Sequence, residues 1–187
     1  MKPFKIEPLN LETDKPIFAS WDEQFSGTPE YAGIEKYVFE NHLIYDFDEL
    51  ILTNYEIFPI GDDEKLNPMV AKTADGEIFA FILTHEFDLN TKSPESILHY
   101  LVLKPTHQKQ GYGPEILREI YTNPKKYLGT IPKTISLKII PGNEPCMKMV
   151  KKLGFDVRLV EEGHTSVYFC ECDYKTLASN LSQNQPS

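Results

Sequence analysis

The sequence predicts an α/β protein with three layers, in which helices flank a mixed β-sheet. Two observations lead to this fold class. From residue 69 onward, segments with the two-residue period of strands alternate with segments that have the helical period. In addition, Ser96–Leu103 is a nearly continuous apolar run, as expected for a strand buried on both faces at the centre of a sheet. This order of elements is typical of layered α/β folds.

The N-terminal third is predicted to contribute one strand and two helices. Apolar and polar residues alternate over residues 4–9, which favours a strand. Pro16 stands near the start of one apolar stripe with helical spacing, and Thr28-Pro29 precedes a second. Residues 44–67 mix acidic and aromatic side chains without a clear period, and we expect this segment to be irregular.

The remaining elements are predicted to complete the sheet. Residues 69–73 and 77–83 flank an Asp-Gly pair, which is typical of a β-hairpin turn. Further along, the pattern predicts a helix over 114–123, a strand at 135–139, a helix capped by Asn143, and strands near 155–161 and 165–172. The polar residues 175–187 are expected to form a disordered tail, so that a single domain spans residues 1–174.

Composition restricts the class of protein. The chain has 187 residues, of which 41% are apolar, enough for the core of one domain. No run approaches the roughly 18 apolar residues of a membrane span, and the N-terminus lacks the apolar run of a signal peptide. Cys146, Cys170 and Cys172 are odd in number and have no clustered histidines, which predicts reduced thiols in a cytoplasmic protein and no metal site.

The net charge bears on possible partners. The chain has 19 Lys and Arg against 28 Asp and Glu, a formal net charge of −9 at pH 7. A negative surface repels phosphate backbones, so we expect no nucleic-acid partner, and the hydropathy pattern predicts no membrane partner. The same charge favours cationic substrates such as amines. The sequence leaves the oligomeric state open, a homodimer included.

The segment after the central strand has the features of an anion-binding loop. Gly111 and Gly113 are separated by one residue, and Pro114 then begins the predicted helix. The first turn of a helix leaves backbone N–H groups unpaired, and the macrodipole adds partial positive charge there. Glycines let the backbone approach a phosphate closely, and Lys109 adds a positive charge. The loop is therefore a candidate phosphate site; an ordinary two-glycine turn at the start of a helix is the alternative interpretation.

Three phosphate-binding motifs compete for this loop. A P-loop requires a Lys-Ser or Lys-Thr pair after its last glycine, whereas Pro114 stands here. A dinucleotide fingerprint requires a third glycine at the place of Ile116. The Gln/Arg-x-x-Gly-x-Gly/Ala loop of acyl-CoA enzymes is satisfied by Gln108, Gly111 and Gly113.

The stretch from about Ser96 to Phe155 resembles the GNAT N-acetyltransferase superfamily in two places. The first is the strand, loop and helix start over Leu101–Gly113. The second is Asn143 at the start of a helix that ends in Gly154-Phe155, with a strand between the two places. The resemblance covers about a third of the chain, and the pair of motifs is more specific than either alone.

The resemblance implies how acetyl-CoA, the acyl donor, is bound. In that family the central strand and the next parallel strand splay apart, and the pantetheine arm lies in the gap. Main-chain groups of Leu101 and Leu103 would pair with this arm, and a backbone N–H near Leu103 would assist the reacting carbonyl oxygen. The coenzyme-binding residues expected on this basis are Leu101, Val102, Leu103, Gln108, Lys109, Gln110, Gly111, Tyr112, Gly113 and Asn143.

Two residues depart from the family pattern. Pro114 has no backbone N–H, so one possible phosphate donor is missing. The family often has a tyrosine, four residues before the Gly-Phe glycine, that acts as general acid toward the departing thiolate. Val150 stands at that place and cannot donate a proton.

Direct transfer to an amine requires a group that removes a proton from the attacking nitrogen. His99, on the central strand, is the candidate base because imidazole has a suitable unperturbed pKa; a satisfied core histidine is the alternative interpretation. Tyr100 is expected to face the opposite side of the sheet. Tyr168, on the last strand, is the candidate for the missing acid. His85 and Glu86 end the preceding strand, where they either edge a cleft or are solvated.

These features predict an N-acetyltransferase that transfers the acetyl group of acetyl-CoA to a primary amine of a small molecule or peptide. The amine is expected to attack directly in a ternary complex, since Cys146 belongs to the inward face of its helix and no other cysteine is placed as a nucleophile. The alternative is a non-catalytic module that binds or senses acyl-CoA on the same fold. The acceptor is not encoded in the recognisable motifs.

Overall fold

The computed structural model describes residues 3–10, 12–14, 17, 63–139, 141–162 and 165–183. The two helices predicted near Pro16 and Thr28 lie outside the described residues, apart from position 17 of the first. Most of the segment expected to be irregular also lies outside them.

The described strands follow the predicted order, whereas two of the described helices, at Pro124–Tyr127 and Tyr174–Gln183, were not predicted. The strands are β1 (Phe4–Pro8), β2 (Lys65–Thr73), β3 (Ile78–Phe87), β4 (Glu95–Leu103), β5 (Thr134–Ile139), β6 (Asp156–Glu162) and β7 (Thr165–Asp173). The helices are α1 (Tyr112–Thr122), α2 (Pro124–Tyr127), α3 (Glu144–Lys152) and α4 (Tyr174–Gln183), with a short 3-10 turn at Pro105–His107.

The strands form one mixed sheet in the order β1-β2-β3-β4-β5-β7-β6. Neighbouring strands are antiparallel except for β4 and β5, which are parallel. A parallel pair needs a crossover connection, and α1 with α2 supplies it. The predicted α/β fold with a mixed sheet and flanking helices is confirmed. Among the described helices, none is long and apolar enough to cross a membrane.

The main core lies between the sheet and helices α1, α3 and α4, on what we call the core face. The apolar stripe of α1 is at most 1% exposed at Ile116, Leu117 and Ile120. It packs with the alternate residues of β5 that include Ile135 and Leu137. The opposite side of the sheet, which carries His85, His99 and Lys138, is called the far face below.

The C-terminal segment differs from its prediction. Instead of a tail, the chain forms α4, in which Leu177 and Leu181 are fully buried in the core. Two leucines four residues apart form an apolar stripe even among polar neighbours, and the core supplies a surface for it. The prediction of a disordered tail is therefore wrong over residues 175–183, and residues 184–187 lie outside the described ones.

Two hydrogen bonds fix α4 at its polar positions. The Asn180 Nδ2 group donates to the carbonyl of Leu153 (3.0 Å), at the C-terminal end of α3. The Nε group of Arg118, on α1, donates to the carbonyl of Leu181 (2.9 Å). Carbonyls at the end of a helix have no partner within that helix, so these contacts satisfy them. The last helix thus links the two helices that border the candidate site.

Candidate active site

Strands β4 and β5 pair over a short stretch and then separate. Glu95–Leu98 pairs with Thr134–Leu137, and no further pairing follows although β4 continues to Leu103 and β5 to Ile139. The sheet therefore contains a gap between its two parallel strands, at their C-terminal ends. This is the end at which α/β sheets bind ligands.

A β-bulge lies where the gap opens. The register between β3 and β4 shifts so that Leu83 pairs with Tyr100 and Thr84 pairs with Leu98, which leaves His99 without an opposite residue. A bulge bends its strand and increases the local twist. The bend coincides with the last residue of β4 that pairs with β5, so it accounts for the separation of the two strands.

Main-chain groups of β4 point alternately toward β3 and toward the gap. The N–H of Lys104 donates to a carbonyl of β3 at 2.8 Å. Alternation then turns the groups of Leu103, and of Leu101 two residues earlier, toward the gap. In agreement, the Leu103 carbonyl accepts a hydrogen bond from Gln108 Nε2 at 3.1 Å, outside the β3 ladder. Val102 has the opposite orientation.

The loop before α1 presents backbone N–H groups. Lys109 and Gly111 both have positive φ, 57° and 84°, and α1 begins at Tyr112 with Gly111 as N-cap. The N–H groups of Tyr112 and Gly113 lie in the first turn, where a helix provides no partner for them. Backbone that alternates in this way forms concave sites for anions. Pro114 is the third helical residue, not the first as predicted, and still removes one donor.

Side chains of the loop brace its backbone. Gln108 bonds back to the end of β4, as described above, and Gln110 Nε2 donates to the carbonyl of Thr106 at 2.6 Å. Lys109 is exposed. The two glutamines therefore act inside the loop, and an anion would be held by main-chain groups with Lys109 beside them.

An aromatic cluster supports the loop from below. Phe79 of β3 stacks on His107 with 4.9 Å between ring centroids, and Tyr112 lies 4.7 Å from Phe79. Phe4 of β1 completes the cluster at 5.8 Å from Phe79. Tyr112 as a whole is only 3% exposed and its ring belongs to this cluster, so its contribution to a ligand would be the main-chain N–H.

The start of α3 lies near Tyr168. Asn143 caps the helix, since its Oδ1 accepts the N–H of Cys146 at 3.2 Å. Asn143 and Tyr168 line one cavity of about 160 Å³, together with Gly142, Glu144, Met147 and Lys151. Val150 is fully buried in the core. The structure thus brings Tyr168, but not position 150, to an accessible place beside Asn143.

His99 lies on the far face at the bulge, next to the gap. It is exposed, and its ring lies 5.8 Å from that of His85 and 6.5 Å from that of Tyr100. Partial burial of the imidazole, followed by the charges of His85 and Lys138, lowers the pKa of His99 to about 4. The ring is therefore neutral at neutral pH and able to accept a proton.

The bulge overturns one expectation from strand alternation. Tyr100 was expected to face away from His99, but the extra residue lets it pair with Leu83 while its ring stays near His99. Burial raises the pKa of the half-buried Tyr100 hydroxyl. Simple alternation holds only where a strand has no bulge.

Two charged residues near His99 were not singled out from the sequence. Glu64 Oε2 lies 3.2 Å from His85 Nε2, and Lys138 of β5 affects His99 from across the gap. Glu64 belongs to the segment expected to be irregular, so no periodicity signalled its position. Lys138 alternates with two core residues of β5, which did mark it as facing the other side of the sheet.

The cysteines in the described part of the chain do not have the environment of a nucleophile. Burial raises the pKa of the Cys170 thiol, and burial with two nearby carboxylates raises that of Cys172 to about 11. A reactive cysteine needs a stabilised thiolate and access to the substrate. Cys146 is half-buried within α3.

Splayed parallel strands, inward main-chain groups and an anion site at a helix start are the features of an acyl-CoA-binding α/β protein. The residues present fit that ligand, since the gap and the loop provide donors for both the pantetheine arm and the pyrophosphate. A model of the acetyltransferase (GNAT) family matches residues 19–155, well over half of the chain. The chain therefore belongs to the GNAT acetyltransferase family, whose acyl donor is acetyl-CoA.

Solved structures share the fold at low sequence identity. Spermidine N-acetyltransferase from Vibrio cholerae, in complex with CoA and spermine, is 13% identical with a TM-score of 0.61, covering 93% of this chain and 97% of that chain. An uncharacterised protein from Bacillus halodurans is 16% identical with a TM-score of 0.66, covering 96% and 89%. Ard1 from Thermoplasma volcanium is 15% identical with a TM-score of 0.56, covering 91% and 97%. No curated protein sequence matches the chain.

Proposed function

We propose that this protein transfers the acetyl group of acetyl-CoA to a primary amine by direct attack in a ternary complex. The observation that carries the proposal is the gap between β4 and β5, with the anion loop at its end and His99 at its base. Bound acetyl-CoA supplies the acetyl group, so that an N–C bond forms, the C–S bond breaks, and an amide and a free thiol result.

His99 is proposed to accept the proton that the amine nitrogen loses. Its imidazole is neutral at neutral pH, exposed, and placed on the far face where β4 leaves β5. The lowered pKa keeps the imidazole unprotonated, so it can accept a proton from the amine nitrogen, which becomes more acidic as its bond to the carbonyl carbon forms. The N–H of Leu103 or a neighbouring main-chain donor is proposed to stabilise the carbonyl oxygen.

Tyr168 is proposed to donate the proton that the thiolate gains. Its accessible position beside Asn143 supports this role, whereas Val150 is buried and has no proton to give. Tyr168→Phe removes only the hydroxyl, so it should lower kcat while leaving the affinity for acetyl-CoA nearly unchanged.

The acceptor is proposed to be cationic in its free form. The net charge of −9 favours such substrates, and the Vibrio cholerae relative was solved with spermine. Polyamines therefore belong in the first set of acceptors to be tested, beside monoamines, diamines and peptides with a free amine. The predicted cytoplasmic location fits such acceptors and is testable by cell fractionation.

The test is thiol release from acetyl-CoA by the full chain in the presence of that set of amines. We expect turnover with at least one amine and a fall in kcat of about 100-fold in His99→Gln, the size typical of a lost general base. Glu161→Gln, on the exposed part of β6, removes a carboxylate away from the gap and should leave kcat unchanged. Acetyl-CoA binding without turnover of any amine would contradict the proposal.

The buried Val150 favours a second candidate, a non-catalytic module that binds acyl-CoA. This candidate predicts tight binding of acetyl-CoA in calorimetry and no thiol release with amines or peptides. It also predicts that Tyr168→Phe and His99→Gln leave the binding constant unchanged. Binding and thiol release measured on the same preparation separate the two candidates.

A further inference from the structure

Two histidines and a carboxylate form a row on the far face. Glu64 Oε2 lies 3.2 Å from Nε2 of His85, and the His85 ring centroid lies 5.8 Å from that of His99. Phe87 lies against the other side of His85, with 3.7 Å between ring centroids. The side chain of His85 is 14% exposed and that of Glu64 is 33% exposed, so the row also reaches solvent at Glu64, away from the gap.

The charges around this row favour one imidazole over the other as the place for a proton. Burial lowers the pKa of His85, but the charge of Glu64 and its hydrogen bond act in the opposite direction. His99 has no carboxylate among its described neighbours; His85, Lys138 and the neutral Tyr100 surround it. Two imidazolium ions this close would repel each other, so the row takes up at most one proton at a time, and the charge of Glu64 favours its residence on His85.

We propose that the Glu64–His85 pair receives the proton that His99 takes from the acceptor amine and passes it to solvent. The inference rests on the proposed acetyl transfer. The N–H bond of the attacking amine breaks as a bond to a His99 nitrogen forms; this bond then breaks as the proton moves to His85, and water takes it beside Glu64. The spacing of the rings suits transfer through a single intervening water.

In this arrangement His85 and Glu64 are positioning residues, since they act through His99 and not on the substrate. Their effect is to return His99 to its neutral state after each turnover. A purely structural role is the competing interpretation, because an ion pair at a strand end also braces the sheet. The variants His85→Phe, which keeps the packing against Phe87, and Glu64→Gln, which keeps the shape, separate the two roles.

The first measurement is NMR titration of the imidazole protons in the full chain without ligand. The chain has five histidines, and single variants assign their resonances. We expect Glu64→Gln to lower the pKa of His85, because it removes the opposing charge, and His85→Phe to raise the pKa of His99. An unchanged titration of His99 in His85→Phe would overturn the proposal.

The second measurement is steady-state kinetics with the best amine. We expect His85→Phe and Glu64→Gln to lower kcat by about tenfold or more with little change in KM for acetyl-CoA, a loss confined to the reacting step. Because His85 and Glu64 are proposed to act on the same proton path as His99, adding His85→Phe or Glu64→Gln to His99→Gln should make the enzyme no slower than His99→Gln alone. Glu161→Gln is the charge control. Additive losses in the double variant would also overturn the proposal.

The two measurements distinguish the failure of this inference from the failure of the proposed function. If no amine is acetylated, the proposed function fails and the proton path fails with it. If amines are acetylated but the two imidazoles titrate independently, only the role of the Glu64–His85 pair is overturned.

Discussion

Backbone conformation at single residues determines the proposed coenzyme loop more than side-chain identity does. Lys109 and Gly111 both have positive φ, which costs a residue with a side chain about 1–2 kcal/mol and costs glycine very little. Lys109 bears this cost, so the loop is held by its surroundings, including the bonds of Gln108 and Gln110. The positive φ at position 111 is therefore the main reason that this loop requires a glycine.

Gly111→Ala is expected to weaken acetyl-CoA binding. The methyl group disfavours the positive φ by about 1–2 kcal/mol, and a loop that relaxes turns its N–H groups away from the anion site. The affinity should fall roughly tenfold or more. Isothermal calorimetry with acetyl-CoA checks this, with the urea midpoint recorded to correct for lost stability.

Gly113→Ala is the matched control at the same loop. Gly113 does not have positive φ, and an added methyl would meet Met149 Sδ at 3.7 Å and Leu103 Cδ1 at 3.9 Å, ordinary contact distances. The family pattern allows alanine here as well. We expect near-normal stability and affinity, and equal losses in the two glycine variants would argue against the backbone account of the loop.

Among the elements, α4 shows how a short apolar stripe stabilises a helix that was not predicted from the sequence. Its two leucines are fully buried, while its polar positions contact α1 and α3 through Arg118 and Asn180. Most of the stability of a ten-residue helix comes from such packing, since isolated helices of this length are marginal. The helix therefore forms because its two leucines are buried in the core.

Leu181→Ala should destabilise the protein by about 2–5 kcal/mol, the range for a truncated buried leucine. Urea unfolding followed by circular dichroism measures the change. Ser179→Ala, on the exposed side of the same helix, should change the free energy of unfolding by about 0.5 kcal/mol or less. A small effect of Leu181→Ala would mean that α4 is not docked as described.

At the scale of the whole molecule, a buried polar cluster lies where β3 and β4 pack against α1. Glu86 and Thr84 of β3, Ser96 of β4 and Tyr121 of α1 are at most 1% exposed. Asn67 Nδ2 donates to Glu86 Oε1 at 3.4 Å. Burial raises the pKa of Glu86 to about 7, although Thr84, Ser96 and Asn67 act against the shift. The interpretation of Glu86 as a solvated residue at a strand end, one of the two offered by the sequence, is thus wrong.

The raised pKa of Glu86 predicts a pH dependence of stability. The folded state binds the proton more tightly than the unfolded state, in which the pKa is 4.5. Its contribution is therefore complete below about pH 4.5, declines as the pH rises, and is lost above about pH 7. The shift corresponds to about 3 kcal/mol.

Glu86→Gln tests this assignment because glutamine has a similar shape and no titration. Relative to the wild type, the variant should gain stability between pH 4.5 and pH 8, measured by urea unfolding at each pH. The difference between the two proteins removes the contribution of His85 and His99, whose lowered pKa values act in the opposite direction. A constant difference across this range would contradict a buried, protonated Glu86.

The sequence alone determined the features that rest on local physics. The apolar run of β4, the Asp-Gly turn, the cap at Asn143 and the glycine loop each follow from the conformational preferences of a few neighbouring residues. The pair of motifs at Leu101–Gly113 and Asn143–Phe155 was specific because their order along the chain reflects one fold. Periodicity likewise identified the buried faces of α1 and β5.

Only the tertiary structure decided where charged groups meet and where a strand bends. The bulge at His99 depends on the register between β3 and β4, which no local pattern specifies, and it changed the side on which Tyr100 lies. The proximity of Glu64 to His85 and the docking of α4 likewise depend on residues far apart in the sequence. Local preference specifies an element, but electrostatic environment and burial arise only when elements pack together.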